Sequence, residues 1–476
     1  MDDKDYKHLG FRCGIEIHQQ LEGHKLFCRC HTIIRKDDPD FQITRRLKSS
    51  AGESGKTDIA AKHEEKKGKY FIYQGYYDTT CLVELDEEPP GDVNKDALNT
   101  TLQIAKLLNC TIVDKIQFMR KIVIDGSNTS GFQRTALIGR DGSVEINGRK
   151  IGIPTVCLEE EACQVAERKD EYDIYNLSRQ GIPLIEIATD PDISSPEECK
   201  ETALKLGMIL RSVPGLKRGL GTIRQDVNVS VKDGARTEIK GFQEVRSIPA
   251  VIDNEIKRQL DMIKKGKRAE ESVRKAEADG TTSYLRPMPG AERMYPETDV
   301  PAITPEIKDI GKVELLSEKS GRMMKLGLAK DLANAVAKEG KADIMLDFAG
   351  KFPDVKPAFI AETMISTPRT LKRKENIDVR PTDRDFETIF SRINEGKISR
   401  DAVYDILKDI GKTGKPDFSK YGNLTGSEIE KIIKKVIEEN KGAPFNALIG
   451  KAMAQLKGKA DAKKIIEMLQ EMSKQK

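Results

Sequence analysis

The chain has 476 residues, 38% hydrophobic and 33% charged, which suits a soluble globular protein of two or three domains. Its 81 basic and 77 acidic residues nearly cancel, to +4. Composition alone therefore does not announce a nucleic-acid binder, although a local cluster of cations would still neutralise phosphates. No apolar run is long enough to span a bilayer. The charged start, Met1-Asp2-Asp3-Lys4-Asp5, lacks the apolar stretch of a signal peptide, so a cytoplasmic location is expected.

In chain order, Gly14-Ile15-Glu16-Ile17-His18-Gln19-Gln20-Leu21 opens with apolar and polar residues in alternation, the period of a strand with one buried face. Glu16 and His18 leave that strand on one side, and Ile15 and Ile17 on the other. A carboxylate beside an imidazole suits a divalent metal, though an ordinary solvated strand face has the same spacing. Eight cysteines all fall in the first half. In a long chain from a reducing compartment they do not read as a disulfide framework. Cys28 and Cys30, completed by Cys81 from a later strand, form a candidate zinc site, for which structural zinc wants four ligands. Free thiols near a strand end are the alternative.

A helix is predicted over 96–108, then strands over 121–125, 143–146 with an Asn147-Gly148 turn, and 151–158. The last runs into Glu159-Glu160-Glu161. Three adjacent carboxylates repel unless a cation neutralises them, and magnesium takes one or two protein carboxylates. An acidic surface loop is the alternative. A strand over 184–188 and a helix over 195–213 lead to Arg224-Gln225-Asp226-Val227-Asn228-Val229-Ser230, and then to Arg236-Thr237-Glu238-Ile239-Lys240. Both stretches alternate, each with a charged or polar side. Two such strands side by side build a charged cup, with cations for phosphates and carboxylates for magnesium, as ATP-dependent acyl activation requires. A structural hairpin laced with salt bridges is the alternative.

A helix over 248–265 follows. The Lys- and Glu-rich stretch 264–280 reads as a charged helical or linking segment, and 286–290 with 295–297 as a proline-rich extended strip. From about Pro305 the pattern turns helical, over 315–337 and again from Ser427, where Ile429, Ile432, Ile433, Val436 and Ile437 share one face. A loop over 412–417 stands near the start of this tail. Interleaving without strict alternation makes the fold class α+β. The division expected is a cradle over 1–300, a helical domain over 301–400 and a small all-α tail over 401–476. There is no phosphate-binding P-loop, dinucleotide fingerprint, nucleophile elbow or Ser-rich amidase signature.

Eight segments together resemble the GatB/GatE family of tRNA-dependent amidotransferase subunits. They are GIEIHQQL (14–21), KLFCRC (25–30), VELDEEPPG (83–91), CLEEEAC (157–163), YNLSRQGIPLIEIATDPDI (175–193), TIRQDVNVSV (222–231), RTEIKGF (236–242) and MYPETDVP (294–301). Several are closer to the archaeal than to the bacterial branch. The resemblance implies a cradle that binds ATP and magnesium and phosphorylates the γ-carboxylate of glutamate carried on tRNA for glutamine. It also implies a tail that engages the tRNA. Ammonia would come from a GatD-like asparaginase-type partner, in a heterotetramer. Carried over onto this sequence, the family's metal ligands match Glu16 and His18, and its carboxylate pair matches Glu159 and Glu160. Asp226, Arg236 and Glu238 match cradle positions, with Arg224, Asn228 and Lys240 toward the nucleotide, and Glu186 and Glu255 as further carboxylates, Glu255 as a magnesium ligand.

One departure stands out. Archaeal members usually carry an inserted domain, related to part of bacterial aspartyl-tRNA synthetases, before the segment DGTTSYLRPMPG. Here only Lys264 to Ala278 separates that segment from the preceding helix. Two rival readings are a catalytically silent tRNA-binding scaffold and an ATP-dependent ligase for a small molecule. The second leaves the tail lysines Lys431, Lys434, Lys435, Lys457 and Lys459 without a purpose beyond a solvated helix face.

Overall fold

The computed structural model describes residues 3–48, 55–57, 59–267, 269–290, 294–307, 313–416, 418–422, 426–440, 442–456 and 462–474. The chain separates into two units, Met1–Val313 and Glu314–Lys476. In the first, the strands are β1 (Arg12–Gln20), β2 (Phe41–Arg45), β3 (Tyr70–Gly75), β4 (Thr111–Ile112), β5 (Phe118–Ile122), β6 (Phe132–Ile146), β7 (Arg149–Glu160), β8 (Gln164–Arg168), β9 (Tyr172–Asn176), β10 (Pro183–Ala188), β11 (Ile223–Ser230), β12 (Thr237–Lys240), β13 (Ser272–Ala276), β14 (Thr282–Pro287) and β15 (Met294–Pro296). The helices that accompany them are α1 (Asp3–His8), α2 (Ile59–Glu65), α3 (Lys95–Leu107), α4 (Pro196–Ser212) and α5 (Ile248–Lys264). The class is α+β, as expected.

Eleven strands form one sheet in the order β14-β13-β12-β11-β1-β10-β7-β6-β5-β15, with β4 paired to β6, and β2-β3-β9-β8 form a second sheet. β1 lies near the middle, antiparallel to both neighbours. Glu16 stands opposite Ala188 and Asp226, and His18 opposite Glu186 and Arg224. Because side chains alternate along a strand, this register puts Ile15, Ile17, Ile185, Ile187, Val227 and Val229 on one face. All are at most 2% exposed. Helix α4 packs on β1, presenting buried Cys199, Ala203, Leu206 and Leu210 at helical spacing. The Ser195 side chain accepts from Glu198 N and Pro196 takes the first turn, an N-terminus whose free amide is satisfied locally. Asn147 and Gly148 are both left-handed, with φ of 48° and 78°, the two-residue turn that matches strand twist and joins β6 to β7.

The segment 264–280 corrects its reading as helix or linker. It carries β13, which pairs parallel to β12 and antiparallel to β14. Its apolar content is too low to show a period, and it is held instead by pairing and by Arg274 reaching Glu255, at 3.6 Å. The second sheet was also illegible, although its core of Phe71, Tyr73, Cys163, Tyr175 and Leu177 is buried.

The second unit is helical. Three helices close it, α6 (Gly426–Glu439), α7 (Phe445–Leu456) and α8 (Ala462–Lys474). They share a core of Ile429, Ile433, Val436, Leu448, Ala452, Leu456, Ile465 and Leu469. Ile432 and Ile437 pack partly buried against it. Lys431, Lys434 and Lys435 are exposed, whereas Lys457, Lys459 and Asp417 lie outside the described residues. Among the described residues no helix is long and apolar enough to cross a membrane.

Candidate functional site

The face of the large sheet opposite Ile15 and Ile17 carries charge. Glu16 and His18 of β1, Glu186 of β10, Glu159 of β7, Arg224, Asp226 and Asn228 of β11, and Glu238 and Lys240 of β12 all meet there by register. Glu16, His18 and Asp226 offer ligand atoms within 4.8 Å of one another, and so do His18, Glu159 and Glu186. His18 links the two groups, with Nε2 at 3.3 Å from Glu186 Oε2 and Nδ1 at 3.9 Å from Asp226 Oδ2. Asn228 donates to Glu16 Oε1 at 3.0 Å. Lys240 donates to Asp226 at 2.6 Å and pairs with Glu238 at 2.5 Å. Lys121 of β5 donates to Glu159 at 2.6 Å and stands 3.6 Å from Glu186.

Burial, with the charges of Glu186 and Glu238 beside it, raises the Glu16 carboxyl to about 7. Burial opposes the charging of His18, but the hydrogen bond and charge of Glu186, with Asp226, raise it. Burial and Glu186 raise Glu159 against the pull of Lys121. For Glu186 the balance reverses: burial is overcome by Lys121 and His18, which hold it well below the ordinary range. These are like charges in close quarters, sharing too few cations. Glu16, Glu159, Glu186, Asp226 and Glu238 face Lys121, Lys240 and the imidazole of His18, while Arg224 on the same face is engaged by Glu161. That surplus of hard oxygen donors, together with a nitrogen, fits magnesium better than a soft metal.

Two expected residues do not join this set. Glu159 and Glu160 are adjacent on β7, so they leave opposite faces. Glu160 accepts from Arg134 N at 2.9 Å and pairs with its guanidinium at 3.4 Å, and Arg134 in turn donates to Glu297 at 2.7 Å. It faces the reverse side of the sheet, among Arg134 and its partner Glu297. Glu255 sits on α5, where Arg258 donates at 2.6 Å, Thr282 at 2.7 Å and Gln259 at 3.1 Å. Gln259 also donates to Thr237 Oγ1. Thr237 shares a face of β12 with Ile239, opposite the core residues Val229 and Val227. Glu255 therefore lies behind the sheet.

Glu161, the third carboxylate of the run Glu159-Glu160-Glu161, is not among the residues the resemblance assigns to the site. Two positions on from Glu159, it returns to the charged face, where Gln20 donates at 3.1 Å and Arg224 at 3.0 Å. Burial opposes its ionisation, but Arg224 and Arg179 hold its carboxyl low. Strand periodicity carried past Leu158 is the signal that finds it. Arg236, just before β12, lies 3.7 Å from Glu271 and lines one cavity with Glu16 and Asn228.

Cys28, Cys30 and Cys81 do come together, and Glu84 joins them within 4.8 Å. Cys28 Sγ donates to Glu84 Oε1 at 3.0 Å, Cys81 N donates to Glu84 Oε2 at 2.9 Å, and fully buried Lys25 stands 3.8 Å away. Hydrogen bonds from Cys28 and Cys30 lower the Cys81 thiol. The spacing Cys81-Leu82-Val83-Glu84 was the available signal for the fourth donor. Three thiols and a carboxylate meet the ligand number and type of a structural zinc site.

Residues 11–310 match a family described as the GatB/GatE catalytic domain, and residues 353–472 match one described as the GatB domain. The chain is similar to archaeal proteins named as the E subunit of glutamyl-tRNA(Gln) amidotransferase. It is 36% identical to that of Archaeoglobus fulgidus, over 99% of each chain, and 36% identical to that of Methanocaldococcus jannaschii, again over 99% of each. It is 37% identical to that of Methanococcus maripaludis over 100% of each. This last alignment runs over 629 positions against 476 residues here, so 153 positions of it have no counterpart in this chain.

Proposed function

Because the chain belongs to the GatB/GatE family, we propose that it is the subunit of a glutamyl-tRNA(Gln) amidotransferase in which glutamate on tRNA is activated by ATP and amidated. A carboxylate resists attack by ammonia because charge and resonance protect its carbonyl, whereas an acyl phosphate carries a good leaving group. The γ-carboxylate takes the terminal phosphoryl group of ATP, releasing ADP, and ammonia then displaces phosphate to leave the amide. The observation that carries this reading is the pair of donor groups sharing His18 on one sheet face, with more carboxylates than cations.

Glu16, His18, Asp226, Glu159 and Glu186 would hold magnesium, which supplies neutralisation of phosphate oxygens. Asn228 fixes the Glu16 carboxylate, and Glu186 fixes the imidazole of His18. Lys121 and Lys240 keep Glu159 and Asp226 in place. Arg224, oriented by Glu161, is a donor for an anionic group of the nucleotide. The ammonia source is a GatD-like asparaginase-type partner in a heterotetramer. The three-part division at 300 and 400 remains our proposal, with the tail engaging tRNA. The 153 unmatched positions fit a missing insertion between α5 and β14. Cys28, Cys30, Cys81 and Glu84 are proposed to hold one zinc per chain, which elemental analysis would find in the native protein and lose in Cys81→Ser.

The direct test is ADP release by the chain with its ammonia-supplying partner, with and without glutamyl-tRNA. Release that requires the charged tRNA supports the reading. Turnover indifferent to tRNA points to a small-molecule ligase, and no turnover leaves a silent scaffold.

A further inference from the structure

Between Glu201 and Asp226 the chain carries Lys205, Arg211, Lys217, Arg218 and Arg224 and no acid. Part of this stretch is the loop that joins α4 to β11, and its base is clamped to the end of β1. Lys217 N donates to Gln20 O, and Gln20 N to Thr222 O, both at 2.9 Å. The Gln19 side-chain amide reaches the carbonyls of Gln20, Lys217 and Thr222, at 2.8, 3.0 and 3.2 Å. Thr222 Oγ1 donates to Gly219 O at 2.9 Å, and Lys217 Nζ to Thr32 O.

The tip is built in the opposite way. Gly219 and Gly221 have φ of 116° and 80°, backbone that residues with a Cβ rarely adopt, and nothing crowds either of them. Between them Leu220 is lifted clear of the fold. Its side chain is 104% exposed, against 77% for the next large apolar residue, Tyr77. An isolated exposed leucine needs no explanation, but one held out on a braced loop among cations does. Arg211 and Arg218 are exposed, and neither has an ion-pair partner among the described residues. Arg218 donates to Arg211 O at 3.0 Å. The acid beside Lys217 is Glu22.

We propose that this loop receives the unpaired acceptor end of the charged tRNA, with Leu220 packed on a base face and Arg211 and Arg218 on the flanking phosphates. The inference rests on the tRNA-dependent reading and deepens it, by naming the residues that hold the single-stranded end of that substrate. Single-stranded RNA offers both chemistries at once, an apolar base face and a phosphate at every nucleotide. An apolar side chain set against a base asks for no particular sequence. A protein partner would instead favour an apolar patch depleted of charge. Because the base of the loop is tied to Gln19 and Gln20, an end held there is directed along the strand that carries Glu16 and His18.

The test uses the full chain with its partner and two RNA probes, deacylated tRNA for glutamine and the same tRNA trimmed of its unpaired acceptor end. The wild type is expected to bind the intact probe more tightly. Leu220→Asp should remove that difference and raise KM for glutamyl-tRNA by roughly tenfold, the worth of one lost base contact. KM for ATP should stay within about twofold. Leu220→Ala should act in the same direction more weakly, and Arg218→Ala should lower the salt dependence of binding to the intact probe. Leu220 is fully exposed, so its variants should keep the melting temperature. Equal binding of the two probes by the wild type would overturn the proposal. So would a difference that survives in Leu220→Asp, or an unchanged KM for charged tRNA. Weakened assembly with the partner subunit at unchanged tRNA binding would give the loop to that subunit instead. If the wild type turns over ATP without tRNA, the amidotransferase reading falls, while the comparison of the two probes still decides the loop.

Discussion

The two faces of strand β1 are built from alternate residues of the same nine, yet they obey opposite rules. On one face Ile15 and Ile17 are 1% and 0% exposed and close against helix α4, where burial of apolar surface stabilises the fold. On the other, Glu16 and His18 sit among Glu159, Glu186, Asp226 and Glu238, where crowded carboxylates cost stability. A second contrast sharpens the first. Glu255 is buried where Glu16 is half-buried, and Arg258, Thr282 and Gln259 all donate to it. Burial is there overcome by these partners and its carboxyl is held low, while that of Glu16 is driven up to about 7. A buried acid surrounded by donors is held toward its ionised form, and one crowded by other acids is pushed toward its neutral form.

That contrast breaks or survives on substitutions to either face. Ile17→Ala is expected to have the largest effect, a loss of about 2–5 kcal/mol of stability from the cavity it leaves, read by chemical denaturation. His18→Ala should reverse the pattern, cutting tRNA-dependent ADP release by roughly a hundredfold or more with the melting temperature held or raised. A His18→Ala protein that is active but unstable would erase the distinction between the faces. Glu255→Gln belongs with the first kind: about 1–3 kcal/mol of stability is lost as its donors lose a charged acceptor, and ADP release per folded molecule stays within about twofold, a margin worth under about 1 kcal/mol of barrier. A collapse of activity in Glu255→Gln would return it to the site.

How much of this was legible follows the same division. Period-two alternation found β1, β7, β10 and β11 because one of their faces is apolar, and it put Glu16 and His18 on one side without help from tertiary structure. The register that sets His18 between Glu186 and Asp226 was not legible, since those partners lie 168 and 208 positions away in the sequence rather than in any local pattern. Alternation also separates Glu160 from Glu159 on the same strand, whereas the resemblance pairs the two. Glu255 was misplaced because a helical carboxylate shows nothing of which side of a sheet its helix covers. Strand β13 was missed because Arg274 and Lys275 give it no apolar period and its stability comes from its neighbours. Glu84 was not legible because a lone carboxylate is as common on a solvated surface as at a metal, whereas paired thiols are not.

The smallest effect tests the charged face without altering it. A carboxyl with a folded-state pKa near 7 and an unfolded value near its ordinary one, about 4.3, is protonated in the folded chain and ionised in the unfolded chain between those limits. The folded state then binds more protons, so stability falls as pH rises. The contribution from Glu16 is fully present below its unfolded pKa and is lost as pH passes through about 7, with a slope of at most about 1.4 kcal/mol per pH unit. Melting curves of the chain in chelator, from about pH 5 to pH 8, should show this decline, and Glu16→Gln should flatten it because an amide does not titrate. Magnesium should oppose it in the native chain, since the cation binds the ionised form that the empty site disfavours. A decline that persists unchanged in Glu16→Gln would assign the strain to another group and leave Glu16 an ordinary carboxylate of a polar strand face.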